Sequence, residues 1–337
     1  LPQGGSNRRT PHMTRRRATL AALGGLAVLL AALSMAAGRV WVPFSDWLDT
    51  SDPRWAIIFE LRLPRTILGV AVGAALGMAG AAMQGYTRNP LADPGALGVS
   101  SMGALGAVLT LYLGAGASAP WVIASASMLG ALAAVFLLLA LSGQASSVVT
   151  FILAGVILQT MAGAGVALAL SLAPNPWAVN EIVNWLMGSL ADRSLQEVQM
   201  ALPLILVGLL LLALTGRSLD ALTLGETGAR SLGVDMTRVR WLLALGVALT
   251  AGASVAVTGV IGFVGLIVPH LLRPLVGARP GGLLWPSALG GAVLVLAADI
   301  AVRLTPAAGE VKLGVAMAVL GGPFFFALLL SMRRRIA

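Results

Sequence analysis

Residues 148–172 read VVTFILAGVILQTMAGAGVALALSL, without one Asp, Glu, Lys or Arg. A helix needs about 20 apolar residues to cross a bilayer, and this stretch supplies them. Nine further segments qualify: 18–38, 62–83, 97–116, 120–141, 198–216, 241–258, 260–276, 284–302 and 313–332. The 260–276 span is short and carries Pro269 and His270. The first span follows Arg15–Arg17 and is too long for a signal h-region, so it reads as an anchor.

Composition agrees. The 337 residues are 58% apolar and 10% charged, with mean hydropathy +0.91, whereas soluble domains are about 25% charged. The solvent for so much apolar surface is lipid, and the fold class is all-α, polytopic. The 41 Gly suit close helix packing in a bilayer. With no Cys, disulfides and thiolate metal sites are excluded. Lys312 is the only lysine, and Leu313 follows it. A P-loop needs Lys followed by Ser or Thr, so any ATP coupling comes from a partner, and the chain is not itself an ATPase.

Ten spans put both termini on one side. If that side is the cytoplasm, it receives fifteen of the 22 basic residues and four of the 13 acidic ones, as the positive-inside rule requires. Residues 1–12, Gly/Pro/Ser/Arg-rich and preceding Met13, read as an expression remnant. Residues 13–337 read as a single transmembrane domain.

Several connections carry polar residues. Leu61-Arg-Leu-Pro-Arg65 puts Arg62 and Arg65 three apart, either as snorkelling arginines or as a cationic socket for a partner's carboxylates. Gly69, Gly73, Gly77 and Gly80 follow at helix-face spacing, for helix contact or a pathway wall. Residues 84–94, QGYTRNPLADP, break two spans and could form a constriction. In 222–233, Leu224, Ala229 and Leu232 are helically spaced and Glu226 and Arg230 lie four apart, as in a short amphipathic helix. Its alternatives are an interfacial helix or a dock for a cytoplasmic motor. His270 reads as a helix-end cap. Met78, Met83 and Met161 read as packing.

The strings RLPR (62–65), QGYTRNPLADPGALGVSS (84–101), LGETGARSLGV (224–234), GFVGLIVPHLLR (262–273) and EVKLGVAMAVLGGPFFFALLL (310–330) resemble the FecCD-type permeases, importers of iron–siderophores, haem and cobalamin. Within that family 173–194, APNPWAVNEIVNWLMGSLADRS, is most similar to haemin permeases. The resemblance implies a type II ABC importer permease in a bacterial inner membrane. It implies a homodimer, with two cytoplasmic ATPase subunits hydrolysing ATP and a periplasmic binding protein. Arg62, Arg65 and Arg303 would receive the binding protein's acids. Leu224, Gly225, Glu226, Ala229, Arg230, Ser231, Leu232 and Gly233 would contact the ATPase. Asn89 and Leu91 would form one part of the cytoplasmic gate, and Ser146 and Ser147, within 142–149, the other. Gly277-Ala-Arg-Pro-Gly281 departs from the family's Gly-x-Asp-His-Arg, which puts a polar role for that turn in doubt. Haem is the expected cargo, an iron-siderophore or cobalamin the alternative, with no resident cofactor and no nucleic-acid partner. With one native His and two Tyr, axial haem ligation belongs to the binding protein.

Two other classes fit less well. An ion-coupled transporter places an acid near the midplane, but Asp299 lies near a span's end, four residues before Arg303. An intramembrane serine protease would need Ser100 and His270 to touch.

Overall fold

A computed structural model describes residues 11–38, 40–114, 120–143, 147–305 and 311–336. Every regular element among them is helical: α1 Pro11–Ala36, α2 Arg54–Thr87, α3 Val99–Tyr112, α4 Pro120–Ser142, α5 Val148–Ser171, α6 Pro176–Leu186, α7 Leu195–Leu214, α8 Gly216–Leu222, α9 Gly225–Ser231, α10 Met236–Thr258, α11 Val264–Val276, α12 Pro280–Leu304 and α13 Leu313–Ile336.

Eight of these are long and apolar enough to cross a membrane. The other two expected spans are short: α3 has 14 residues and α11 has 13, so at 1.5 Å per residue each is about 20 Å long, less than the roughly 30 Å hydrocarbon core. Irregular chain beside them completes the crossing, which a bilayer tolerates only where protein covers the backbone. Beside α11, Ser189 N–H donates to the Thr258 carbonyl at 2.7 Å and Gly314 N–H to the Gly188 carbonyl at 3.1 Å, serving that covered backbone.

The helix α2 runs through the middle, with 83% of its span buried; α10 and α12 follow at 78% and 61%, and the other five long helices lie between 11% and 39%. The glycines decide the α2 packing. A methyl on Gly73 would overlap the Gly291 carbonyl of α12, one on Gly77 the Ser287 carbonyl, and one on Gly80 the Gly265 carbonyl of α11. The glycine face is therefore a backbone-to-backbone seam, not a pathway wall. Met78 and Met83 are fully buried beside it, whereas Met161 is exposed.

Several bounds differ from those expected, and one helix is added. α2 begins at Arg54, two turns before 62, with Trp55 stacked on Phe59 at 5.0 Å. Asp235 caps α10 through Thr237 N–H at 2.8 Å, moving its start from 241 to Met236. The connection after α5 contains α6, which the sequence reading left without structure. Asn175 caps it through Ala178 N–H at 2.9 Å, and Pro176 follows at the first helical position, a pairing that favours a helix start.

Candidate docking, coupling and gate sites

At one rim, the ends of α1 and α12 meet the first turns of α2. Asp299 of α12 has no exposed surface and takes both neighbouring guanidiniums. Arg65 reaches its Oδ1 through Nε at 3.0 Å and Nη2 at 2.8 Å. Arg303 reaches Oδ2 through Nε at 2.8 Å and also through Nη2. Arg303 further donates to the Ser34 carbonyl and hydroxyl, each at 2.9 Å, and that hydroxyl meets Thr66 at 2.7 Å. Arg62 donates to the Met35 and Ala36 carbonyls at 3.0 and 2.9 Å. Those carbonyls end α1, where a helix leaves acceptors unserved and carries partial negative charge.

These cations are not openly presented. Arg62 and Arg303 are 6% and 7% exposed, and all three arginines already bind within the chain. They still line, with Lys312 and Asp192, a cavity of about 400 Å³. The buried carboxylate offsets one of three guanidiniums, so the cluster keeps surplus positive charge. Pairing with Arg65 and Arg303 also occupies Asp299, leaving it a poor site for a coupling ion.

At the opposite rim, 222–233 holds the expected short helix, α9, with α8 immediately before it. Gly225 and Gly233 adopt φ of +87° and +82° and bound α9, a conformation glycine takes without penalty. Leu219, Leu222 and Ala229 are fully buried, while Leu224 and Leu232 are 68% and 65% exposed. The three expected apolar positions thus split, with Ala229 anchoring the helix and two leucines presented outward. Glu226 does not support α9 through Arg230. Its Oε1 accepts the backbone N–H of Val148 at 3.0 Å, and Arg230 is exposed. Asp220 Oδ1 accepts Gly281 N–H at 2.8 Å, so the 277–281 turn receives its polar partner from this loop.

The chain after α2 turns at Arg88, whose φ is +51°. Asn89 Oδ1 accepts Leu91 N–H at 2.9 Å, and Asp93 Oδ1 accepts Gly95 N–H at 2.8 Å. Desolvation pushes the Asp93 carboxyl above its ordinary range, and the Gly95 N–H opposes that shift. This segment lies against α5. A methyl on Gly155 would overlap the Ala96 carbonyl. Thr87, Asn89, Leu91 and Asp93 share a cavity of about 330 Å³ with Ile152 and Gln159 of α5. Ser147 caps α5 through Thr150 N–H at 3.3 Å, whereas Ser146 lies outside the described residues.

The sequence reading missed several partners. Buried Gln84 donates to the Gly265 carbonyl at 3.2 Å and accepts from Arg273 at 2.9 Å. Arg240 Nη1 donates to the Gly143 carbonyl at 3.4 Å. Side chains beside span ends (Gln84, Arg240) were the available signal, but their partners lie 181 and 97 positions away. His270 sits inside α11 rather than at its end, edge-on to Phe324 of α13 at 5.9 Å, so the capping expectation fails. Ser100 lies in the first turn of α3.

The chain is similar to known proteins along most of its length. The vitamin B12 import system permease protein of Vibrio cholerae is 40% identical over 89% of this chain and 90% of its own. An uncharacterised ABC transporter permease protein of Bacillus subtilis, YvrB, is 39% identical over 86% and 84%. A solved structure described as an inward-facing candidate metal-chelate type ABC transporter superposes with TM-score 0.83 at 32% identity, covering 93% of this chain and 98% of that one. Residues 26–331 match the FecCD transport family, and the chain belongs to that family.

Proposed function

We propose that this chain is the membrane-spanning subunit of an ATP-driven importer whose cargo is cobalamin. The observation that carries this reading is the 40% identity with the Vibrio cholerae vitamin B12 permease across nine-tenths of both chains. Haem, the cargo expected from the sequence, is the second reading. It rests on residues 173–194 alone, against similarity along the whole chain for cobalamin. Both are bulky metal tetrapyrroles, so a weakly binding pathway of one width suits either.

In this reading the α8–α9 rim faces the cytoplasm, in keeping with the arginine distribution. Leu224 and Leu232 dock the ATPase, and Ala229 roots the docking helix in the bundle. The surplus charge of Arg62, Arg65 and Arg303 faces the cavity at the opposite rim and receives carboxylates of a binding protein. Asn89, Leu91 and Ser147 gate the pathway from the segments at either side of the α5 N-terminal turns. Gln159 and Thr160 are exposed in the middle of α5, where bare lipid contact is costly. A second copy related by a twofold axis covers this face and encloses the pathway.

Reconstitution tests the reading. Vesicles holding this chain, its ATPase partner and ATP should accumulate radiolabelled cyanocobalamin from a loaded binding protein. Accumulation of hemin instead, under the same conditions, favours the second reading. Uptake that ignores ATP refutes both.

A further inference from the structure

The connection between α4 and α5 is held at both ends by residues far away in sequence. At its start, Gly143 has φ +67°, and its carbonyl receives Arg240 Nη1 at 3.4 Å. At its end, Val148 N–H donates to Glu226 Oε1 at 3.0 Å. Val148 is the first residue of α5, and its N–H is among the four that a helix start leaves unserved. Ser147 serves Thr150 N–H, so the two caps satisfy different donors. A carboxylate at this place is favoured by the helix dipole and makes a stronger bond than a neutral acceptor. Behind the first turn, buried Tyr86 of α2 meets Phe151 of α5 edge-on at 5.5 Å.

Glu226 belongs to α9. An ion pair with Arg230 would tie it to its own helix and transmit nothing. Its bond to Val148 instead joins α9 to α5 across 78 positions of sequence. We infer that Glu226 is a positioning residue that makes α9 and the first turn of α5 one mechanical unit, while Arg240 of α10 anchors the end of α4. Displacement of α9 is then delivered to the gate helix as a rigid-body motion. The inference rests on the reading of 224–233 as the ATPase dock.

The test uses spin labels in the assembled complex, where the absence of native cysteine allows paired labelling. One pair, Thr227→Cys with Val149→Cys, reports α9 against α5. A second, Thr227→Cys with Trp177→Cys, reports α9 against the far rim; Val149 and Trp177 are exposed. ATP should change the second distance and leave the first constant. In Glu226→Ala and in Val148→Pro, ATP should change the first distance as well. Proline is tolerated at a first helical position and removes only the N–H. Ser147, at φ −75° and ψ 164°, already has the extended conformation proline demands of its predecessor. Transport per ATP should fall about tenfold in either variant, as loss of a hydrogen bond to a charged group converts. The double variant should be no worse than either single one. Glu226→Gln, which keeps an acceptor, should fall between. Additive losses, or a first distance that changes equally in the wild-type chain, overturn the link. An ATP-independent second distance removes the docking reading beneath it.

Discussion

The Asp299 cluster makes a sharp energetic prediction. Asp299 has no exposed side-chain surface, Arg303 has 5% and Arg65 has 12%. Removing one partner of such a pair leaves the other charged and desolvated, at a cost of about 3–5 kcal/mol. Asp299→Ala should therefore destabilise the chain by that amount, because two guanidiniums lose their carboxylate together. Asp299→Asn, which keeps a carbonyl acceptor, should lose less. Replacing the whole group by apolar residues (Arg65→Met, Asp299→Leu, Arg303→Met) should recover at least half the loss, since a fully apolar cluster avoids burying charge. Equilibrium unfolding in nanodiscs, followed by tryptophan fluorescence, measures all three. An Asp299→Ala variant within about 0.5 kcal/mol of wild type, the range of an ordinary surface change, would refute the assignment of this cluster as the clasp joining α1, α2 and α12.

Other outcomes follow from the same geometry. Gly77→Leu should block folding or cost at least about 1–3 kcal/mol by overpacking the α2–α12 seam, while Gly24→Leu, with open space around its Cα, should express and unfold like wild type. Leu224→Asp combined with Leu232→Asp should abolish co-purification of the ATPase subunit and leave the unfolding midpoint unchanged, because both side chains are exposed. Asn175→Ala should cost about 1 kcal/mol through loss of the α6 cap, read as faster amide exchange across 176–186. Thr227→Cys should react with a membrane-impermeant maleimide only after permeabilisation of cells, and reaction in intact cells would invert the orientation.

The spans were legible because a bilayer imposes one requirement on every crossing segment, a long apolar run. Residues 148–172 answer it without reference to any other part of the chain. The glycine seam was half legible. Spacing alone put Gly69, Gly73 and Gly77 on one face, but only packing shows that Gly291 and Ser287 fill the space against it. α6 escapes a search for spans because its eleven residues are too few to cross a bilayer, although Asn175 before Pro176 signals a helix start. The arginine sites show where sequence reading fails in kind. The family resemblance marked Arg62, Arg65 and Arg303, and the three do share one cavity. What they bind is decided by Ser34, Met35 and Asp299, which sequence separation hides. Glu226 is the sharpest example: Arg230 is the local partner that helix spacing suggests, but the tertiary partner is a backbone N–H in another helix.

The two rims differ in construction, and that difference bears on how a transporter of this family works. At the Asp299 rim, three guanidiniums, a buried carboxylate and the terminal carbonyls of α1 bind three helices in one network, in which Asp299, Arg62 and Arg303 each have more than one partner. Breaking any one bond there leaves a buried charge with others still in place, so the helices separate together or not at all. At the α8–α9 rim, hydrogen bonds from Asp220, Glu226 and Arg240 reach α12, α5 and the end of α4. Between those contacts lie Arg88, Gly143, Gly225 and Gly233, all at positive φ, where the chain bends sharply. Contacts between rigid helices, separated by bends, are suited to act as joints. In the proposed reading, a motor acting at this rim tilts α5 about these bends, whereas the opposite rim holds its three helices together. In that reading the buried salt bridge is the clasp that holds while the joints move.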